Sequence, residues 1–112
     1  MGKDVQMSKS QRTKGHGYER EVARLLRPLY PDARRHLEYQ DGEAYGVDIS
    51  GTGPLKIQCK RHKQYVPINT IEEIRADGIK LLVTKADRKP AVAVLYLDDL
   101  LKILGDVGEA YE

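Results

Sequence analysis

The chain has 112 residues with 40% hydrophobic and 32% charged side chains, a net charge of +2 and a single cysteine. That length suits one domain able to bury a real core. The composition excludes low-complexity character and an internal disulfide, no apolar run reaches the ~18 residues of a membrane span, and the N-terminus does not read as a signal peptide.

Residues 1–13 are polar and basic without periodicity and read as a flexible arm, leaving 14–112 as a single domain. From His16 to Arg27, Tyr18, Val22, Leu25, Leu26 and Leu29 fall on one stripe of a 3.6-residue period, predicting a helix that Pro28 and Pro31 end. Glu19 and Glu21 flank that stripe on opposite sides, and the geometry does not choose between them. Ala33–Glu38 reads as a short strand and "YQDGEAYG" (39–46) as a loop. Val47–Gly51 and Leu55–Arg61 read as strands from their β-branched residues and alternation. Asn69 or Thr70 is placed to cap a short helix, with Glu72 and Glu73 in its first turn. Ile79–Thr84 and Ala91–Leu97 follow as strands, the second so apolar that it is expected at the centre of the sheet. Asp98 then caps a closing helix, "DDLLKILG", whose leucines exceed one face and suggest either core or self-association. The order predicts an α/β fold: a small mixed β-sheet flanked by helices.

The polar residues of "GVDISGTGPLKIQCKR" (46–61) require an explanation, because Asp48, Gln58 and Lys60 are costly to bury without partners. Alternation puts Lys56, Gln58 and Lys60 on one face of their strand. A three-residue connection, Thr52-Gly53-Pro54, sets Asp48 opposite Gln58 with Lys60 diagonal to it, whereas a two-residue connection scatters the group. An amphipathic hairpin with a wet polar face is the plainer reading of the same alternation.

Charge is uneven. Residues 1–63 carry 13 Lys and Arg against 8 Asp and Glu, and residues 64–112 carry 6 against 9. A basic half beside an acidic one points to a face directed at a polyanion. Lys14, Arg20, Arg34, Arg35, Lys56, Arg61 and Lys63 are the candidate phosphate contacts. His16, His36 and His62 share their basic surroundings, Tyr39 and Tyr45 are placed to stack on an unpaired base, and Cys59 reads as a packed core thiol.

Taken together, "KGHGYERE" (14–21), "GVDIS" (46–50) and "IQCKR" (57–61) resemble the PD-(D/E)XK nuclease superfamily, and most closely its archaeal and phage Holliday junction resolvases. The resemblance spans residues 14–104 in element order. It implies a restriction-endonuclease-like core and a metal-dependent endonuclease acting on four-way DNA junctions as a homodimer; the single cysteine and the lack of an apolar span add the expectation of a cytoplasmic protein with no membrane partner. It assigns Asp48, Gln58 and Lys60 to the family's strand motif and selects Glu19 as the helix carboxylate. The implied cofactor is Mg²⁺ or Mn²⁺, held by Asp48, Glu19, the Gln58 side-chain oxygen and the Cys59 backbone carbonyl, with Lys60 acting on the attacking water. Gln58 departs from the glutamate usual in resolvases and resembles Mrr-type restriction nucleases. The implied alternatives are a Mrr-like restriction or repair nuclease and a catalytically silent DNA-binding protein on the same fold.

Overall fold

The computed structural model describes residues 9–110, with side chains described for 15–106. Helix α1 (Lys9–Leu26) is followed by β1 (Arg34–Arg35), the single-turn helix α2 (Glu38–Asp41), β2 (Ile49–Ser50) and β3 (Leu55–His62). A 3-10 helix (Ile68–Glu73), β4 (Ile79–Ala86), β5 (Val92–Val94) and α3 (Leu97–Ala110) complete the chain. The five strands form one mixed sheet in sequential order. β3 and β4 run parallel, joined by a crossover containing the 3-10 helix, and the other neighbouring pairs are antiparallel. The α/β class and mixed sheet predicted from the sequence are present.

Two apolar clusters hold the sheet from its two sides. Tyr18, Val22 and Ala23 of α1 bury against Ile49, Ile57 and Cys59. On the other side Val47 and Leu82 pack with Ile71 and Ile74, which the 3-10 helix and its exit supply. Period-2 alternation on β4 feeds both clusters, through Leu81 and Val83 on the α1 side and Leu82 on the other, while β3 gives its apolar face to the α1 side. Burying each Ile or Leu contributes ~1.5–3 kcal/mol, so the two-sided core accounts for the placement of the helix and the crossover.

Several elements differ from the sequence reading. α1 begins at Lys9, so part of the predicted arm is helical, while residues 1–8 lie outside the described residues. Leu25 and Leu29 are exposed; the buried stripe runs through Tyr18, Val22, Ala23 and the half-buried Leu26. The capping residue before the 3-10 helix is Pro67, with no side-chain cap, rather than Asn69 or Thr70. The closing helix starts at Leu97, which puts Asp98 and Asp99 inside its first turn. β5 is an edge strand with Val92 exposed, not a central one: composition reported its apolarity, but only strand order decides which strands have two neighbours. Leu97, Leu101 and Leu104 of α3 are likewise exposed. Among the described residues no helix is long and apolar enough to cross a membrane.

Two glycines fix the backbone around the polar hairpin. Gly51 has φ +80°, and a Cβ there would lie 2.1 Å from the Asp32 carbonyl oxygen, so β1 and the hairpin turn close on each other only without a side chain. Gly46 has φ +79° and would meet the Glu73 carbonyl oxygen at 2.4 Å. It lets the segment leading to Asp48 press against the end of the 3-10 helix, and the Arg75 N–H donates to the Tyr45 carbonyl at 2.9 Å beside it.

Candidate metal and nucleic-acid site

The hairpin register is the one that a three-residue connection requires. Ile49 pairs with Ile57, which sets Asp48 across from Gln58. β2 ends at this point, and its role is taken over by a side chain. The Asp48 N–H donates to the Ile57 carbonyl at 2.7 Å, and the Cys59 N–H donates to Asp48 Oδ2 at 2.8 Å. A carboxylate therefore stands where a partner strand would present a carbonyl. The N–H and C=O of one strand residue project toward the same neighbour, so the Cys59 carbonyl projects to the same side.

Asp48 is half-buried. Burial and the negative charge of Glu19 push its carboxyl up to about 6, against the Cys59 N–H, Lys60 and His36, which pull it down. Asp48 thus lies within electrostatic reach of Glu19 and Lys60. Glu19 itself sits at the α1–β1 junction, where its Oε1 accepts from Arg35 Nε at 2.9 Å. Glu21 lies elsewhere on α1, beside a second cavity lined by Gly17, Tyr18 and Arg61.

Gln58 is 2% exposed, and its two ends differ in their surroundings. Nε2 donates to Glu73 Oε1 at 3.0 Å. Oε1 is buried with no hydrogen-bond partner among the described residues. An acceptor in that condition costs roughly 1–3 kcal/mol unless something occupies it. Lys60 Nζ lies 3.5 Å from the same Glu73 oxygen. Glu73 was not legible as a site residue: it is exposed, it ends a short 3-10 helix, and it reaches Gln58 across 15 positions of sequence.

The Asp48 and Glu19 carboxylates, the unpartnered Gln58 amide oxygen and the Cys59 carbonyl are all hard oxygens, the donor type that Mg²⁺ and Mn²⁺ prefer over softer metals. Among the described residues no three His, Cys, Asp or Glu side chains are grouped as a metal cage. Cys59 is buried, and its thiol is pushed up by that burial, as suits a packing residue.

The basic residues fall into separate groups. Arg20 and Lys63 are exposed, and Arg35 is held by Glu19. Arg34 and Lys56 line a cavity of about 360 Å³ with His36, Asp41 and Ser50, in which Arg34 is paired to Asp41. His36 bridges Ser50 Oγ at 2.7 Å and the Gly42 carbonyl at 2.8 Å, whereas His16 and His62 are exposed. Arg61 points to the α1 side of β3, 3.9 Å from Asp87. The Lys14 side chain lies outside the described residues. Tyr39 and Tyr45 are both exposed, but Tyr39 lies on α2, where the sequence reads as a loop, and Tyr45 lies in the segment before Asp48.

Compared with family models, curated proteins and solved structures, the chain matches none.

Proposed function

We propose that the protein is a metal-dependent, structure-selective DNA endonuclease of the Holliday junction resolvase type, built on a restriction-endonuclease-like core. The supporting observation is the buried, unpartnered Gln58 oxygen on the residue across the hairpin from Asp48, whose charge environment includes both Glu19 and Lys60. A divalent cation held by Asp48, Glu19, Gln58 Oε1 and the Cys59 carbonyl would neutralise the scissile phosphate and make a bound water more acidic. Arg35 occupies one Glu19 oxygen and leaves the other available as a donor. Lys60 stands on the same strand face as Gln58 and supplies a positive charge and proton donors toward the attacking water or the leaving oxygen. Arg20, Lys56 and Lys63 are the basic groups left with the most freedom to meet phosphates.

The test is incubation of the protein with end-labelled four-way junction, linear duplex and single strand, with Mg²⁺ or Mn²⁺ and with EDTA. The reading expects metal-dependent nicks paired across the junction and little cleavage of the linear controls. Comparable cleavage of linear duplex would favour the Mrr-like nuclease, to which Gln58 points. Junction binding without turnover would favour a silent DNA-binding protein, a reading supported by the ion pairs that already hold Glu19 and Lys60.

A four-way junction offers two equivalent strands, so the proposed enzyme acts as a two-fold dimer. The exposed Val92, Tyr96, Leu97, Leu101 and Leu104 along β5 and α3 are the surface assigned to the second copy. Leu101→Glu should convert a dimer to a monomer in light scattering; an unchanged mass would remove this face from the account.

A further inference from the structure

We infer that Glu73 is a positioning residue that gives the Gln58 side chain its polarity, turning its oxygen rather than its NH₂ toward the metal position. This inference rests on the metal-site reading above and adds a residue that neither the hairpin nor the helix supplies.

A glutamate at position 58 would need no such partner, because both its oxygens are donors to a metal. A glutamine has one useful end and one harmful one, since an NH₂ aimed at a cation offers hydrogens instead of a lone pair. Something must therefore decide which way the amide faces. Glu73 Oε1 receives the Gln58 NH₂ at 3.0 Å. A carboxylate only accepts, so the opposite rotation would oppose two oxygens at that separation. The favoured rotation is the one that leaves Oε1 buried and without a partner. The same Glu73 oxygen lies 3.5 Å from Lys60 Nζ, so one atom sets the amide and anchors the ammonium two residues along the strand.

The surroundings suit an orienting role. The Glu73 side chain is 58% exposed and keeps its charge hydrated, while the amide beneath it is 2% exposed. Its backbone is held from behind, because Gly46 presses on the Glu73 carbonyl at a distance that no side chain permits. The segment that delivers Asp48 and the turn that delivers Glu73 are thereby locked to each other. A partner that orients a metal ligand typically contributes tenfold to a hundredfold in affinity.

The experiment is calorimetric titration of Mn²⁺ alone into wild type, Glu73→Ala and the exchange variant Gln58→Glu/Glu73→Gln, with ¹⁵N spectra of each metal-free protein. The backbone resonances establish that each variant is folded, and the Gln58 side-chain NH₂ resonances report its hydrogen bond directly. Glu73→Ala should move those side-chain resonances and weaken Mn²⁺ binding about tenfold to a hundredfold. The exchange variant reverses donor and acceptor, places a carboxylate in the ligand position and should restore binding. Unchanged Mn²⁺ affinity or unmoved Gln58 NH₂ resonances in Glu73→Ala would overturn the inference while leaving the metal site standing. So would an exchange variant that binds as weakly as Glu73→Ala, since Glu73 would then act by some other route. Absence of Mn²⁺ binding by wild type would remove the metal-site reading and this inference with it.

Discussion

Replacing Asp48 by Asn should stabilise the metal-free protein, and the gain should depend on pH. Burial and Glu19 raise the Asp48 carboxyl from 3.8 to about 6 in the folded chain. The folded state therefore holds this proton more tightly than the unfolded state does. Below about pH 4 both states are protonated, and the group's favourable contribution is fully present. As pH rises through 6 the folded carboxyl must ionise in a poorly solvated place, and that contribution is lost. A shift of about two pH units corresponds to about 3 kcal/mol at ~1.4 kcal/mol per unit. Asn keeps an oxygen for the Cys59 N–H, which spares the strand contact at 2.8 Å. The stability difference, Asp48→Asn minus wild type, should thus grow by about 2–3 kcal/mol between pH 4 and pH 7, or roughly 10 °C in Tm for a domain of this size. Urea denaturation in EDTA at pH 4, 5, 6, 7 and 8 measures it. A difference that stays flat across that range would refute the claim that a half-buried carboxylate is held here at a cost to the fold. Adding Mg²⁺ should stabilise wild type above pH 6 and leave Asp48→Asn nearly unmoved.

Two further predictions concern α1. Glu19→Gln should slow junction cleavage by about a hundredfold or more, roughly 3 kcal/mol of barrier, because it removes a charged oxygen donor from the site. Glu21→Gln should stay close to wild type in the same assay, and the reverse order would reassign the helix carboxylate. Tyr18→Phe should raise stability by about 1–2 kcal/mol in urea denaturation, because the Tyr18 hydroxyl is buried with no hydrogen-bond partner among the described residues. A loss of stability in that variant would mean that the hydroxyl is satisfied, for example by water in the adjoining cavity.

What could be read from the sequence depended on whether the physics was local. The hairpin was legible because side-chain alternation is strict and a three-residue turn leaves one register, so Asp48 faces Gln58 as expected. The choice between Glu19 and Glu21 was not legible from periodicity, since both flank the apolar stripe; the position of β1, which brings Arg35 to Glu19, distinguishes their surroundings. Glu73 carried no local signal. Its contact with Gln58 exists because Gly46 lets two distant segments close together, and no pattern within either segment encodes that approach. β5 misled for a related reason: an apolar edge strand and a buried central strand have the same composition, and sheet order separates them. Leu25 and Leu29 belonged to the periodic stripe but run past the part of α1 that the sheet covers.

Asp48 and Lys60 are proposed to act in metal-dependent phosphodiester hydrolysis. Single-turnover cleavage of a labelled four-way junction in Mg²⁺ by wild type, Asp48→Ala and Lys60→Ala, with junction binding measured in parallel in Ca²⁺, decides whether they do. Wild type should cleave, and each variant should lose about a thousandfold or more in rate, roughly 4 kcal/mol of barrier, while binding the junction nearly as well. Cleavage by Asp48→Ala near the wild-type rate would contradict that role.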